Sequence, residues 1–376
     1  MRILLITGIF EPEIGGPATY TARLGKKLVA LGHTVKVITY SNEARFDFDS
    51  EYPFALVRVV RRGKLSNYFK FFLAVLKNIR NFDVVYSFDW VSAGLPLRLA
   101  SLLTGKKYAV RVGGGYIWEK YLAEGRSPVT LKDFYQTGLY GDYPVLYRII
   151  KFVLRGAEFV VFNSAKQADL YQTFYHVDDS RVKVIPNPTP ENFSFGVTRD
   201  ETRINNEIVF AGRFIKMKNI EVAIEAFTRV KNTSSKLVLI GEGPTEKSLR
   251  ALVKKLGISD RVSFEPSMLQ KDLYQRIIQC HYVILPSWTD ISPNQIYECL
   301  ALGIPFLMTK ENYLTINQED FLKIDPASVD DVALKMNSLS DAGTYKAFTD
   351  RLKQIKFSYS WDDATRDHEA LFKKLI

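Results

Sequence analysis

The sequence predicts an α/β fold in two domains, each a parallel sheet with crossover helices. Three observations carry this. Short β-rich runs alternate with amphipathic stretches almost throughout, the signature of strand–helix–strand units. The chain has 376 residues, more than a single hydrophobic core usually spans. A proline-studded segment falls at mid-chain, Pro186, Pro188 and Pro190 followed by the polar run Glu191 to Asn206. Spaced prolines stiffen a linker and cannot continue a sheet.

Taken in order, the first half offers strands at Ile3 to Thr7, Val35 to Tyr40, Val84 to Phe88, Ala109 to Val112, Val160 to Phe162 and Val182 to Ile185. After the first strand come Gly15 and Gly16, and Pro17 opens a helix that runs to Gly32, with proline at the first helical position and glycine just past the end. Residues 67–82 repeat apolar side chains at helical spacing, with Phe69, Phe72, Leu73, Leu76 and Ile79 on one face and Lys70, Lys77 and Arg80 elsewhere. A core helix explains that pattern, and a basic amphipathic helix resting on anionic lipid is the alternative. The second half restarts with strands at Ile208 to Ala211, Leu237 to Ile240, Val262 to Phe264, Tyr282 to Leu285 and Phe306 to Met308.

Composition narrows the class. With 47% hydrophobic and 24% charged residues the chain is of ordinary globular type, and no apolar run reaches the length of a membrane span. Thr7, Gly8 and Glu11 cut the N-terminal apolar run short, so it reads as a first strand and not as a signal peptide. Cys280 and Cys299 are too few for a disulfide framework or a cysteine metal site, which fits a reducing, cytoplasmic compartment. The net charge of +10 is unevenly placed: residues 1–190 hold 26 lysines and arginines against 16 acids, whereas residues 191–376 are balanced at 25 of each. A basic first half suits an anionic partner such as a lipid head group, a phosphorylated acceptor or nucleic acid, and a merely soluble basic surface explains it equally well.

Three places carry chemistry. The Gly15–Gly16 helix start offers unpaired amides and a positive dipole end to an anion, although a plain tight turn accounts for the pair as well. The strand Ile208 to Ala211 ends in Gly212 and Arg213, with Lys218 five residues on, beside the strand end where open α/β sheets bind ligands. An Arg fork and a Lys point charge there can together neutralise a diphosphate, and solvated surface cations are the alternative for either residue singly. The third place is Pro286 to Pro305. Ser292 and Gln295 read as a capping box with Pro293 at the first helical position, and the helix should end at Gly303. Within it Glu298 is the only charge between Ile296 and Leu302, and Asp290 supplies a second carboxylate seven intervening residues earlier. A lone acid in such a setting needs a partner, either a salt bridge or a ligand's hydroxyl pair.

Gly-Arg with Lys five residues after the Arg, then two acids flanking seven residues, resembles the donor site of retaining glycosyltransferases of family 4, which have the GT-B fold of two Rossmann-like parallel-sheet domains facing across a cleft. The resemblance extends over the Gly32-His33 turn, the Ile185-Pro186-Asn187 strand end, the Gly241-Glu242-Gly243-Pro244 turn, the run Leu300 to Pro305 and the Ser360-Trp361 helix start. It implies an N-terminal acceptor domain over residues 1–188, joined by a C-terminal helix over 362–376, and a donor domain over 189–361. It implies that Arg213 and Lys218 hold the donor pyrophosphate, Glu298 the ribose hydroxyls and Asp290 the transferred sugar. Gly212, Ile291, Ser292, Pro293 and Asn294 would bind the donor, the amides around Ser292 to Asn294 meeting its phosphates, with the Gly15–Gly16 loop closing over them.

The co-substrate is expected to be a UDP- or GDP-linked sugar with no further cofactor and no metal, and the acceptor a glycan or lipid-linked molecule, not nucleic acid. The expected location is cytoplasmic, with peripheral contact at the inner membrane face. The sequence departs from the family twice. Asp290 stands where Glu is usual, and the usual first-domain His is missing from the segment Arg111 to Glu119, where Arg111, Gly114 and Glu119 are the candidates for touching acceptor or sugar and a core-edge salt bridge between Arg111 and Glu119 is the alternative. Four rivals rank lower: a nicotinamide oxidoreductase, which lacks a complete GxGxxG; a metal-dependent transferase using Asp47-Phe48-Asp49; a sugar-nucleotide epimerase of the same fold; and a non-catalytic nucleotide-sugar-binding subunit.

Overall fold

The structure is a computed structural model that describes residues 1–13, 15–189, 199–319, 321–355 and 357–376. Pro190 and most of the polar stretch after it, part of the expected linker, lie outside the described residues. The chain divides into two compact units: residues 1–117, 138–188 and 359–376 form the first, and residues 118–137 and 189–358 the second. The sequence reading differs on two points: residues 118–137 group with the second unit although they precede the prolines, and residues 359–361 group with the first.

The first unit holds seven parallel strands: β1 (Arg2–Thr7), β2 (Thr34–Ser41), β3 (Ala55–Val60), β4 (Val84–Ser87), β5 (Ala109–Val112), β6 (Phe159–Phe162) and β7 (Val182–Val184). Their order is β3-β2-β1-β4-β5-β6-β7, so winding reverses between β1 and β4. β3 is the strand that sequence reading passed over. It is an edge strand, only partly buried, and so lacks the continuous apolar run of β1 or β4. The helix after β1 is Gly16–Ala30 and stops as its sequence predicts: Gly32 takes φ +82°, its N–H donates to Val29 O at 2.9 Å, and the His33 N–H reaches Leu28 O at 3.1 Å. This pair of bonds is the Schellman arrangement, which needs a left-handed residue at the Gly32 position.

The helix Trp361–Lys373 completes this unit. Ser360 caps it, accepting from Asp363 N–H at 3.1 Å while the Asp363 carboxylate accepts from Ser360 N–H at 2.9 Å. Trp361, Leu371 and Phe372 join Ile3, Leu5 and Tyr86 in the unit's core. His368 is wholly buried there: its Nδ1–H donates to Ala364 O at 2.6 Å, which fixes Nε2 as the acceptor of the Tyr86 hydroxyl at 3.1 Å. Burial, with the nearby Arg111 guanidinium adding to it, pushes its pKa down to about 3.

The unfolded chain therefore takes up a proton near pH 6.5 that the folded chain refuses, so stability is highest above that pH and falls as pH drops towards about 3. The slope this residue contributes is at most about 1.4 kcal/mol per pH unit. His281, half-buried and lowered by that burial to about 4, acts in the same direction. Thermal melts between pH 6.5 and 5, where carboxylates stay ionised, should show a falling melting temperature, and His368→Leu should flatten that slope.

The second unit has six parallel strands: β8 (Glu207–Ala211), β9 (Lys236–Ile240), β10 (Val262–Glu265), β11 (Tyr282–Leu285), β12 (Phe306–Thr309) and β13 (Lys323–Ile324), in the order β10-β9-β8-β11-β12-β13. Winding reverses between β8 and β11. Their side chains form a second core with the helices Ile220–Phe227 and Val329–Ser338. The two-residue β13 is too short to leave a pattern in the sequence. The Asp47-Phe48-Asp49 triplet lies in the first unit, where the Asp49 carboxylate receives both Nε and Nη2 of Arg58, at 2.9 and 2.6 Å, and is held below the usual carboxylate range by them.

Candidate active site

In a doubly wound sheet the strand ends at the winding reversal are splayed, and the loops that leave them form a crevice. In the second unit those loops are residues 212–219 after β8 and residues 286–293 after β11. Glycines shape the first. Gly212 N–H donates to Ile240 O at 2.9 Å, Phe214 N–H to Glu242 O at 2.8 Å, and Thr245 N–H to Phe214 O at 3.1 Å, so the Gly241–Pro244 turn lies flat along the Arg213 loop. Gly241 has φ +143°, and a Cβ on it would collide with the carbonyl oxygen of Gly212. Gly241→Ala should therefore displace the Arg213 loop. Overpacking of this kind costs ~1–3 kcal/mol, visible as a lower melting temperature together with weaker binding of a nucleoside diphosphate.

The second loop is tied to the first by Trp288 N–H, which donates to Met217 O at 2.9 Å. It is tied again on its far side, where Asp290 N–H donates to Glu311 O at 2.8 Å and Tyr313 N–H to Asp290 O at 3.0 Å. Asp290 is 6% exposed, and its carboxylate stands 3.8 Å from Lys218 Nζ. That is an ion pair beyond hydrogen-bond reach. Arg213 is exposed, and among the described residues its guanidinium has no ion-pair or hydrogen-bond partner. Lys216, two positions before Lys218, instead pairs with Glu221 at 2.7 Å. Asn219 closes the turn with φ +50° and donates its side-chain amide to Pro326 O at 2.8 Å, fixing where Lys218 leaves the backbone.

The capping box expected at Ser292 is corrected by the structure. The helix is Asn294–Leu302, with Pro293 at the cap position, one residue later than expected. Pro293 has no N–H, and the amide of Asn294 donates to Ser292 O at 2.8 Å, so these two do not contribute phosphate-binding amides as expected. Gly303 ends the helix in the left-handed region, as predicted. Glu298 lies in its second turn, half-buried, and receives the side-chain amide of Gln270 at 2.9 Å.

Sequence reasoning missed three supports of this site. Gln270 is 28 positions from Glu298. Thr289 Oγ1 is buried and accepts the N–H of Leu131, from the segment 118–137 that belongs to this unit. Asn219 alone left a signal, since Asn tolerates the left-handed region better than most residues.

The remaining candidates lie elsewhere. Gly15 and Gly16 start the helix at the β1 end of the first unit, with Thr19 N–H donating to Gly15 O at 3.1 Å. Gly114 accepts the Tyr171 hydroxyl at 2.8 Å in the same unit. Glu119, half-buried, lies in the helix Tyr116–Ala123 at the start of the segment that joins the second unit. The expectation that Arg111 touches a sugar does not fit its placement. It is 4% exposed, its Nη2 donates to Ile185 O at 2.9 Å and Asn187 Oδ1 at 2.8 Å, and its guanidinium lies 4.5 Å from the centre of the Tyr20 ring. It is a buried cation that joins β5 to the chain beyond β7.

Two family models match the chain, Glycosyl transferases group 1 over residues 197–354 and Glycosyltransferase Family 4 over residues 14–192. The chain belongs to the family 4 glycosyltransferases. This glycosyltransferase is 21% identical to the phosphatidylinositol N-acetylglucosaminyltransferase gpi3 subunit of Schizosaccharomyces pombe, over 99% of the chain and 80% of the relative. It is 23% identical to the N-acetyl-alpha-D-glucosaminyl L-malate synthase of Bacillus anthracis, over 80% and 77%. Among solved structures it resembles sucrose-phosphate synthase from Thermosynechococcus elongatus, with a TM-score of 0.78 and 16% identity over 100% and 99% of the two chains. Anabaena HepE in complex with UDP gives 0.75 and 16% over the full length of both. The family 4 glycosyltransferase thus has the GT-B fold, with one Rossmann-like sheet in each unit. Among its described residues no helix is long and apolar enough to cross a membrane.

Proposed function

We propose that this glycosyltransferase moves a hexose-type sugar, with retention at the anomeric carbon, from a UDP- or GDP-linked donor to a glycan or lipid-linked acceptor in cell-envelope or polysaccharide synthesis. The observation that carries the reading is the Lys218 ammonium, held 3.8 Å from the Asp290 carboxylate in loops tied together at the winding reversal, with the Arg213 guanidinium on the same loop. Cations so placed meet the negative charge that develops on a departing diphosphate, and Asp290, beside Lys218, meets the sugar hydroxyls. Glu298, on the next helix, receives the ribose hydroxyls.

In the reaction the bond from the anomeric carbon to the diphosphate oxygen breaks, and the acceptor oxygen bonds to the same face of the sugar. The acceptor proton passes to the departing phosphate oxygen, so no protein nucleophile is needed. UDP is favoured as carrier by the UDP and UDP-glucose complexes of Anabaena HepE. The basic first half fits work at the inner face of a membrane, where a lipid-linked acceptor would be met.

The test is a panel of UDP- and GDP-sugars assayed for released diphosphate, with and without extracted lipid or glycan, and product configuration read by NMR. Acceptor-dependent release with retained configuration is expected. Inverted configuration, or no binding of any nucleoside diphosphate, overturns the reading, and an altered sugar nucleotide without acceptor points to an epimerase.

A further inference from the structure

We infer that the first unit carries a docking face for the surface of an anionic lipid bilayer, built from the helices Lys64–Ile79 and Gly94–Thr104. The first of these was expected to place Phe69 and Phe72 on a core face. Ile79 is buried as expected, but the other fully covered side chains are Phe71 and Val75. Leu65, 88% exposed, and Phe69, 61% exposed, stand on a neighbouring face with Tyr68 and Phe72. The second helix contributes Leu99 and Leu103, also exposed. Together they line an open apolar groove of about 500 Å³. Apolar side chains so bare and so clustered on a globular unit mark a surface that something covers.

Charge selects the occupant. Residues 61–82 hold six lysines and arginines and no acid, and the stretch from Trp90 to Trp118 contains no acid either, while Arg98, Lys106 and Lys107 fall within it. Arg61 is engaged by Glu13 and Lys107 by Glu158. Among the described residues Arg62, Lys70, Lys77, Arg80 and Lys106 make no ion pair. At 100° per residue, Lys70 and Lys77 fall on the flank of the Leu65–Phe69 face that points away from the buried one. An apolar stripe flanked by unpaired cations suits a head-group layer, the apolar side chains entering the acyl boundary while the cations meet anionic head groups. A protein partner would need acids to match this rim and would equally cover the groove, so the vesicle measurement decides between them.

The full chain is mixed with vesicles of phosphatidylcholine alone and with vesicles in which about a quarter of the lipid is phosphatidylserine, at low and at high salt. Sedimentation with the anionic vesicles only, reversed by salt, is expected. Leu65→Ser with Phe69→Ser should weaken that binding about a hundredfold, and Lys70→Ala with Lys77→Ala at least about tenfold. All four side chains are exposed, so melting temperature and donor turnover in solution should be unchanged, which separates this face from the site of the second unit. The inference is overturned if the wild-type chain binds neither vesicle, if both double variants bind as tightly as wild type, or if the groove variants abolish a dimer while wild type ignores lipid.

Discussion

Replacing Lys218 by alanine should lower kcat for sugar transfer by roughly 10²–10³-fold, the loss typical of removing one well-placed group that stabilises developing negative charge. The ammonium is 3.8 Å from Asp290, outside hydrogen-bond distance, so its donors are not consumed by that carboxylate and remain for phosphate oxygens. Lys216 is the internal control. It lies in the same turn and carries the same charge, but its ammonium is taken up by Glu221 at 2.7 Å. Lys216→Ala should leave kcat within about twofold, because exposed ion pairs contribute little. If both variants lost activity equally, the effect would belong to the loop's overall charge and not to the placement of Lys218. Because Lys218→Ala also leaves the buried Asp290 without its cation, a fall in melting temperature of a few degrees should accompany it. Turnover is therefore compared well below the melting range, with Lys218→Arg expected to recover part of the rate by restoring charge without the same geometry.

Glu298→Ala should act differently, raising the donor KM by roughly 10–100-fold with a smaller change in kcat. Hydrogen bonds from hydroxyls to a carboxylate are worth ~1.5–3 kcal/mol each, and a ribose contact is made equally in the ground and transition states. The affinity for free nucleoside diphosphate should fall by the same factor, measured by calorimetry. Affinity for a sugar phosphate, which has no ribose, should not change. In the free protein Glu298 is held by the amide of Gln270 at 2.9 Å, a contact the ribose would displace or share. Glu298→Gln keeps the shape and loses the charge, and should fall between wild type and alanine. An unchanged diphosphate affinity in Glu298→Ala would remove Glu298 from the donor site and with it the second of the paired acids.

The strands were legible because a buried parallel strand writes itself locally. Ala109–Val112 and Tyr282–Leu285 have the limits their apolar runs announce, and the helix Gly16–Ala30 ends where Gly32 permits the left-handed turn. The same local logic failed at Ala55–Val60, whose partly exposed side chains dilute the pattern, and at Pro293, where the helix starts one residue beyond the apparent cap. Residue spacing singled out Arg213 with Lys218 and Asp290 with Glu298, and the resemblance to the family 4 donor site joined the two pairs into one set. Pairing was settled at longer range: Lys218 against Asp290, 72 positions on; Gln270 against Glu298; Leu131 against Thr289; Arg111 drawn inward to Ile185 and Asn187.

What the sequence alone determined is the alternation of strands and helices, the division into two sheets, and which side chains bring charge to the strand ends, because each follows from spacing within a few turns of chain. Only the tertiary structure decided which of those charges are spent on one another and which are left for a ligand or a surface. The physical reason is that burial and ion pairing depend on what lies across space, and neighbours of that kind leave no periodicity behind.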